Sequence, residues 1–79
     1  MNVTVKVYAA LRRYLPESAP GPGRVLQVAD GATVAQVMGQ LQIPVDTALV
    51  PMVNGTVQKL DHVLREGDTL HLFPPVVGG

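Results

Sequence analysis

The sequence predicts a small α+β domain: a mixed sheet of four to five strands with one main helix packed on one face. Three observations predict it. The chain opens on a strictly alternating segment, NVTVKVY (2–8). A helix-periodic segment with its own cap, TVAQVMGQLQ (33–42), comes after one further strand-like run. Short apolar runs separated by Asn-Gly and Gly-Asp turns then close the chain.

In the opening strand, Val3, Val5 and Val7 face one side, and Asn2, Thr4, Lys6 and Tyr8 face the other. Period-2 alternation of this kind marks a half-buried strand. AALRRYL comes next, with Leu11, Tyr14 and Leu15 at helical spacing, and predicts one or two helical turns ended by Pro16. PESAPGPG (16–23) is a loop by composition; it lacks the Lys-Ser/Thr partner of a phosphate loop, and its prolines remove amide donors. RVLQVA (24–29) predicts a second strand forming a hairpin with the first, and Asp30-Gly31 a turn. Thr33 with Gln36 three residues on makes a capping box. Val34, Val37, Met38 and Leu41 form one apolar helical stripe, and Pro44 is read as the terminator. Gly39 inside this helix suggests a close approach to the sheet.

ALVPMVNG (48–55) predicts a third strand ending in the hairpin signal Asn54-Gly55. Pro51 within it points to a sheet edge or a bulge. TVQKL (56–60) predicts a short strand and LREGD (64–68) a tight turn. In the last strand, TLHLF (69–73), Leu70 and Leu72 face the core while His71 and Phe73 face outward. Two hairpins flank one helix, and a sheet with the first and last strands central and parallel buries the apolar faces. That arrangement is the β-grasp, or ubiquitin-like, fold.

With 79 residues the chain allows a single domain, 1–79. It has no cysteine, so neither a disulfide nor a thiol nucleophile is available. Six basic residues balance six acidic ones. Without a basic stripe, nucleic-acid binding has no support. No apolar run is long enough to span a bilayer, and a cytoplasmic location is the expectation. Catalytic groups are sparse. Ser18 lies in the loop, and His62 and His71 have no ligand-spaced partner. Asp61-His62 and the Glu66/Asp68 pair read as solvated turns, so no metal or bound cofactor is expected.

The ending FPPVVGG remains, and residues 74–79 read as an extended tail. A reactive C-terminal carboxylate must reach another protein's active site. Gly78 and Gly79 are thin enough to thread a channel. Pro74 and Pro75 hold the base of the tail near polyproline II. Val76 and Val77 would supply apolar contacts along that channel; the alternative reading of the same composition is an inert, disordered end.

The segment from Val53 to Gly79 resembles the small subunit of molybdopterin synthase, within the ThiS-like sulfur-carrier family. Val53-Asn54, Asp61-His62, Gly67-Asp68 and Phe73 to Gly79 match the family pattern; Arg12 and Thr33-Val34 match more loosely. The resemblance covers nearly the whole chain. It implies a carrier more than an enzyme. An E1-like adenylating enzyme would use ATP to adenylate Gly79, and a sulfur donor protein would convert the adenylate to a thiocarboxylate. The tail would then enter a large catalytic subunit and deliver sulfur for the dithiolene of molybdopterin. His71 and Phe73, joined by Tyr8 or Met52 depending on register, form the expected partner surface. Rival readings are a sulfur carrier for thiamine or another thiolation pathway, a ubiquitin-like modifier, and a plain binding module.

Overall fold

The computed structural model describes residues 1–14 and 23–75. Most of the loop read at 16–23, and the tail beyond Pro75, lie outside the described residues. β1 (Asn2–Val7) leads into a 3₁₀ helix (Ala9–Tyr14). β2 (Arg24–Gln27), α1 (Val34–Gln40), β3 (Val50–Val53), β4 (Thr56–Val57) and β5 (Thr69–Phe73) come after it. The sheet order is β2-β1-β5-β3-β4, with β1 and β5 parallel and the other pairs antiparallel. This is the expected β-grasp, with α1 on one face.

The core obeys the alternation. Val3, Val5 and Val7 of β1, Leu70 and Leu72 of β5, and Val34, Val37 and Met38 of α1 are all buried. Burying one such side chain stabilises by about 1.5–3 kcal/mol. Ile43 and Leu64, both at most 2% exposed, complete the core from irregular segments.

The helix start is satisfied from two sides. Thr33 and Gln36 form the reciprocal capping box. The next free amides, Val34 and Ala35, donate to the carbonyls of His62 and Leu60. The turn containing Asp61 and His62 therefore supplies backbone acceptors to the helix.

Several expected details are corrected. The helix closes at Gln40 with Leu41 as its cap, before Pro44. Gln42 takes a left-handed φ of 61°. Ile43 N–H donates to Met38 O (2.8 Å) and Gln42 N–H to Gly39 O (3.0 Å), which is a Schellman closure. Leu41 consequently packs on the margin of the core, half-buried, not within it. Gly39 makes no close approach: a Cβ there would meet nothing within 4 Å. Its place on the exposed side of the helix accounts for that tolerance. β3 is interior to the sheet, between β5 and β4. Pro51 lies just past the last β3–β4 pair, Met52 with Val57, where only its carbonyl is used, accepting from Gln58 N–H (3.1 Å). β1 ends one residue before Tyr8, and β2 ends at Gln27, short of 29.

Gly23 and Gly55 carry real conformational demands. At Gly23, φ is +101° and an added Cβ would fall 2.6 Å from Lys6 Cγ and 2.8 Å from Val5 O. No side chain fits where the chain enters β2. Asn54 (φ 51°) and Gly55 (φ 89°) both lie at positive φ, as the two-residue β3–β4 hairpin requires.

Candidate docking face and tail exit

The parallel pairing of β1 with β5 places Lys6 beside His71 and Val7 beside Leu72. The antiparallel pairing of β3 with β5 places Met52 beside His71 and Val50 beside Phe73. Leu70 and Leu72 point to the helix, so His71 and Phe73 point to the uncovered face, as alternation predicts.

Tyr8, just past β1, lies over the same face. Its backbone N–H donates to Leu72 O (3.2 Å), which ties it to the end of β5. Its ring stacks on Phe73 at 4.2 Å between centroids and 10° between planes. Its hydroxyl shares a 2.8 Å hydrogen bond with His71 Nδ1. His71 also lies within 6.0 Å of the Phe73 ring, nearly parallel to it. The register therefore joins both Tyr8 and Met52 to Phe73. Tyr8, Ala9, Val50, Met52, Phe73 and Pro74 line an open groove of about 440 Å³. Phe73 is half-buried there, stacked on Tyr8 instead of folded onto the core.

Burial first, and the Lys6 ammonium second, push the His71 imidazole below its ordinary pKa of 6.5. Both favour the neutral ring. β5 runs from this groove directly into Pro74 and Pro75, which are described up to the base of the tail. Val76, Val77, Gly78 and Gly79 lie outside the described residues.

Asn54, Gly67 and Asp68, also matched to the family pattern, act in the fold. Asn54 Nδ2 donates to Asp68 Oδ1 (2.8 Å), and Asn54 Oδ1 accepts from Thr69 N–H (3.0 Å). Asp68 Oδ2 accepts from Arg65 N–H (2.9 Å). Gly67 N–H and Glu66 Oε2 meet the carbonyl and amide of Asn2 at 2.8 and 2.6 Å. The Val-Asn and Gly-Asp signatures thus interlock the β3–β4 hairpin, the turn before β5 and the start of β1. Glu66 is an acceptor for the β1 amide, not half of an acid–base pair. Among the described residues, no group of three His, Cys, Asp or Glu side chains could hold a metal ion. None of the described helices is long and apolar enough to cross a membrane.

A ThiS family model matches residues 5–79. The chain belongs to the ThiS family. No curated protein sequence matches it. Among solved structures it is similar to SAMP1 of Haloferax volcanii, at 25% identity over 100% of both chains with a TM-score of 0.71. It is similar to a Pyrococcus furiosus protein ascribed to subunit 1 of molybdopterin converting factor. That match has 23% identity, 96% of this chain, 99% of that one and a TM-score of 0.73. The Helicobacter pylori complex of molybdopterin-converting factor subunits 1 and 2 matches at 20% identity, with 100% of both chains covered and a TM-score of 0.64. This ThiS-family chain is thus a ubiquitin-fold protein of the sulfur-carrier and modifier kind.

Proposed function

We propose that the protein carries sulfur as a thiocarboxylate on Gly79 and delivers it for molybdopterin synthesis. The observation that carries this reading is the Phe-Pro-Pro-Val-x-Gly-Gly run continuing β5, in a chain that the family model matches through residue 79. A carboxylate oxygen of Gly79 attacks the α-phosphorus of ATP on an E1-like enzyme and releases pyrophosphate. A persulfide sulfur on the donor protein then attacks the acyl carbon, the carbon–oxygen bond to phosphate breaks, and AMP leaves. A thiol of the partner next attacks the donor-side sulfur and breaks the sulfur–sulfur bond, so that Gly79 keeps the thiocarboxylate and the partner is left with a disulfide. In the large catalytic partner the thiocarboxylate sulfur attacks a side-chain carbon of the cyclic pterin precursor, and the carbon–oxygen bond at that carbon breaks with the oxygen as leaving group. Water then cleaves the acyl–sulfur bond and restores the carboxylate. This chain supplies the reacting terminus and its delivery; the partners supply the catalytic groups. The Helicobacter pylori complex of two chains supports a large catalytic partner.

Deleting Gly79 tests the reading. Gly79 lies six residues beyond the end of β5, so the melting temperature should hold while adenylation and sulfur transfer are lost. One residue added after Gly79 should do the same by displacing the carboxylate. A deletion variant that still accepts sulfur contradicts the proposal. The match to SAMP1 favours a second reading, in which Gly79 forms an isopeptide bond with lysines of other proteins. High-molecular-weight conjugates that vanish with Gly79 deletion would identify it.

A further inference from the structure

The chain has no formal net charge, with six basic and six acidic residues, and among the described residues Lys6, Arg12, Arg13 and Arg24 are set apart from most of the carboxylates, whereas Lys59 and Arg65 lie among them. β1 and β5 run parallel and end together, Val7 beside Leu72, so the tail leaves from the end of the sheet where β1 gives way to the 3₁₀ helix. That helix bears Arg12 and Arg13, both exposed. Lys6 pairs with His71 on the uncovered face, and Arg24 enters β2 opposite Val5 at the same end. The carboxylates mostly gather elsewhere. Asp30 sits 3.4 Å from the Met1 ammonium at the start of β1. Glu66 and Asp68 occupy the turn bound to Asn2, and Asp61 lies in the turn that caps α1. Asp46, in the segment between α1 and β3, is the exception among the described acids. The groove next to this basic end is apolar, and Ala9 of the 3₁₀ helix forms part of its wall.

We infer that Lys6, Arg12 and Arg13 form a basic collar at the tail exit that steers the chain onto a protein partner whose channel entrance is rimmed by carboxylates. This rests on the reading that the tail is handed to another protein. The apolar groove provides the seat and the collar provides orientation. A field of one sign beside a docking site raises encounter rates by about tenfold or more at low salt. With no net charge, the molecule would gain nothing from a uniform field. Basic residues at the end of β5 from which the tail departs turn that end of the molecule first toward an acidic rim. Arg12 and Arg13 are exposed and Lys6 is half-buried, so steering needs no desolvation of a buried ion pair.

Association rates with the purified E1-like adenylating enzyme and with the large catalytic partner, each measured by stopped flow from low to high salt, test the inference. The double change Arg12→Glu with Arg13→Glu should slow association with at least one of them by about tenfold at low salt and flatten its salt dependence. Arg12→Gln alone should give a smaller loss in the same direction. The control Lys59→Glu with Arg65→Glu, away from the tail exit, should leave the rate within about twofold under the same steering argument. Melting temperatures of all variants identify any that fail to fold, and Arg12→Gln then carries the test. Equal slowing by the two double changes, no slowing by either, or no association with either protein overturns the inference. Association is read without sulfur transfer. A chain that docks through the collar but forms no thiocarboxylate would therefore sink the carrier reading and leave the collar standing.

Discussion

The Tyr8 hydroxyl and His71 Nδ1 are joined by a 2.8 Å hydrogen bond between residues 63 positions apart, across the parallel β1–β5 pair. That bond, with the Tyr8–Phe73 stack, fixes three rings on the uncovered face at the point where the sheet gives way to the tail. The arrangement favours a neutral His71, since burial and Lys6 both lower its pKa from 6.5.

A pH dependence results from that direction. The unfolded chain binds the His71 proton more readily than the folded one, so stability rises with pH in this window. His71's contribution is complete above about 6.5, is lost as pH falls from 6.5 to the lower folded value, and changes no further below it. His71→Gln should flatten this segment of the stability curve in urea titrations at a series of pH values. Lys6→Met should move the His71 pKa back toward 6.5 in an NMR titration, because the cation contributes to the shift. An unchanged pKa in that variant would leave burial as the sole cause.

Phe73→Ala should weaken binding to the large catalytic partner or to the activating enzyme while the domain stays folded. An aromatic anchor at an interface contributes about 2 kcal/mol or more, roughly thirtyfold in affinity. Tyr8→Ala should do likewise, since it removes the ring on which Phe73 rests. Calorimetric titration against each partner reads the effect. Unchanged dissociation constants for both would move the docking surface away from this face.

Asn54→Ala should destabilise by about 1–3 kcal/mol. It removes the acceptor of the Thr69 amide and the donor to Asp68, and it puts alanine at positive φ. Asn54→Gly separates the causes: it relieves the backbone but loses both side-chain bonds. Urea unfolding should place the glycine variant between wild type and alanine. A glycine variant as stable as wild type would show that the two side-chain bonds contribute no more than the relieved backbone returns.

The end of α1 gives a change of opposite sign. Gln42→Gly should stabilise by about 1 kcal/mol, because Gln42 holds a left-handed φ that glycine adopts freely. Nearby, Met38→Ala should cost about 2–5 kcal/mol, and Leu41→Ala less, since Met38 is fully buried and Leu41 only half-buried. Urea unfolding of the three variants ranks them. Equal losses for Met38→Ala and Leu41→Ala would contradict the closure described for the helix.

The regular elements are legible in the sequence because their signals are periodic. Period-2 alternation sets the inward valines of β1 and the outward His71 and Phe73, and Thr33 with Gln36 marks the start of the helix. Ile43 and Leu64 escape such reading because they lie in segments with no period, placed by the helix closure and by the Leu64–Ala32 backbone bond. The helix end is hidden because Gln42 is an uncommon residue for a left-handed cap, so Pro44 looks like the stronger stop. Whether Tyr8 or Met52 joins Phe73 depends on strand register. Register is a matter of pairing across the chain, and it brings both. The basic end is invisible to composition for the same reason: balanced totals conceal where the β1–β2 and β1–β5 pairings place each charge.

That sulfur travels on Gly79 is the central claim. Intact and fragment mass spectrometry of the protein purified from its own cells tests it most directly. The predicted result is a population heavier by the substitution of one sulfur for one oxygen, with the change confined to Gly79 and lost on its deletion. An unmodified terminus throughout, or Gly79 found only in amide linkage to lysines, would contradict it.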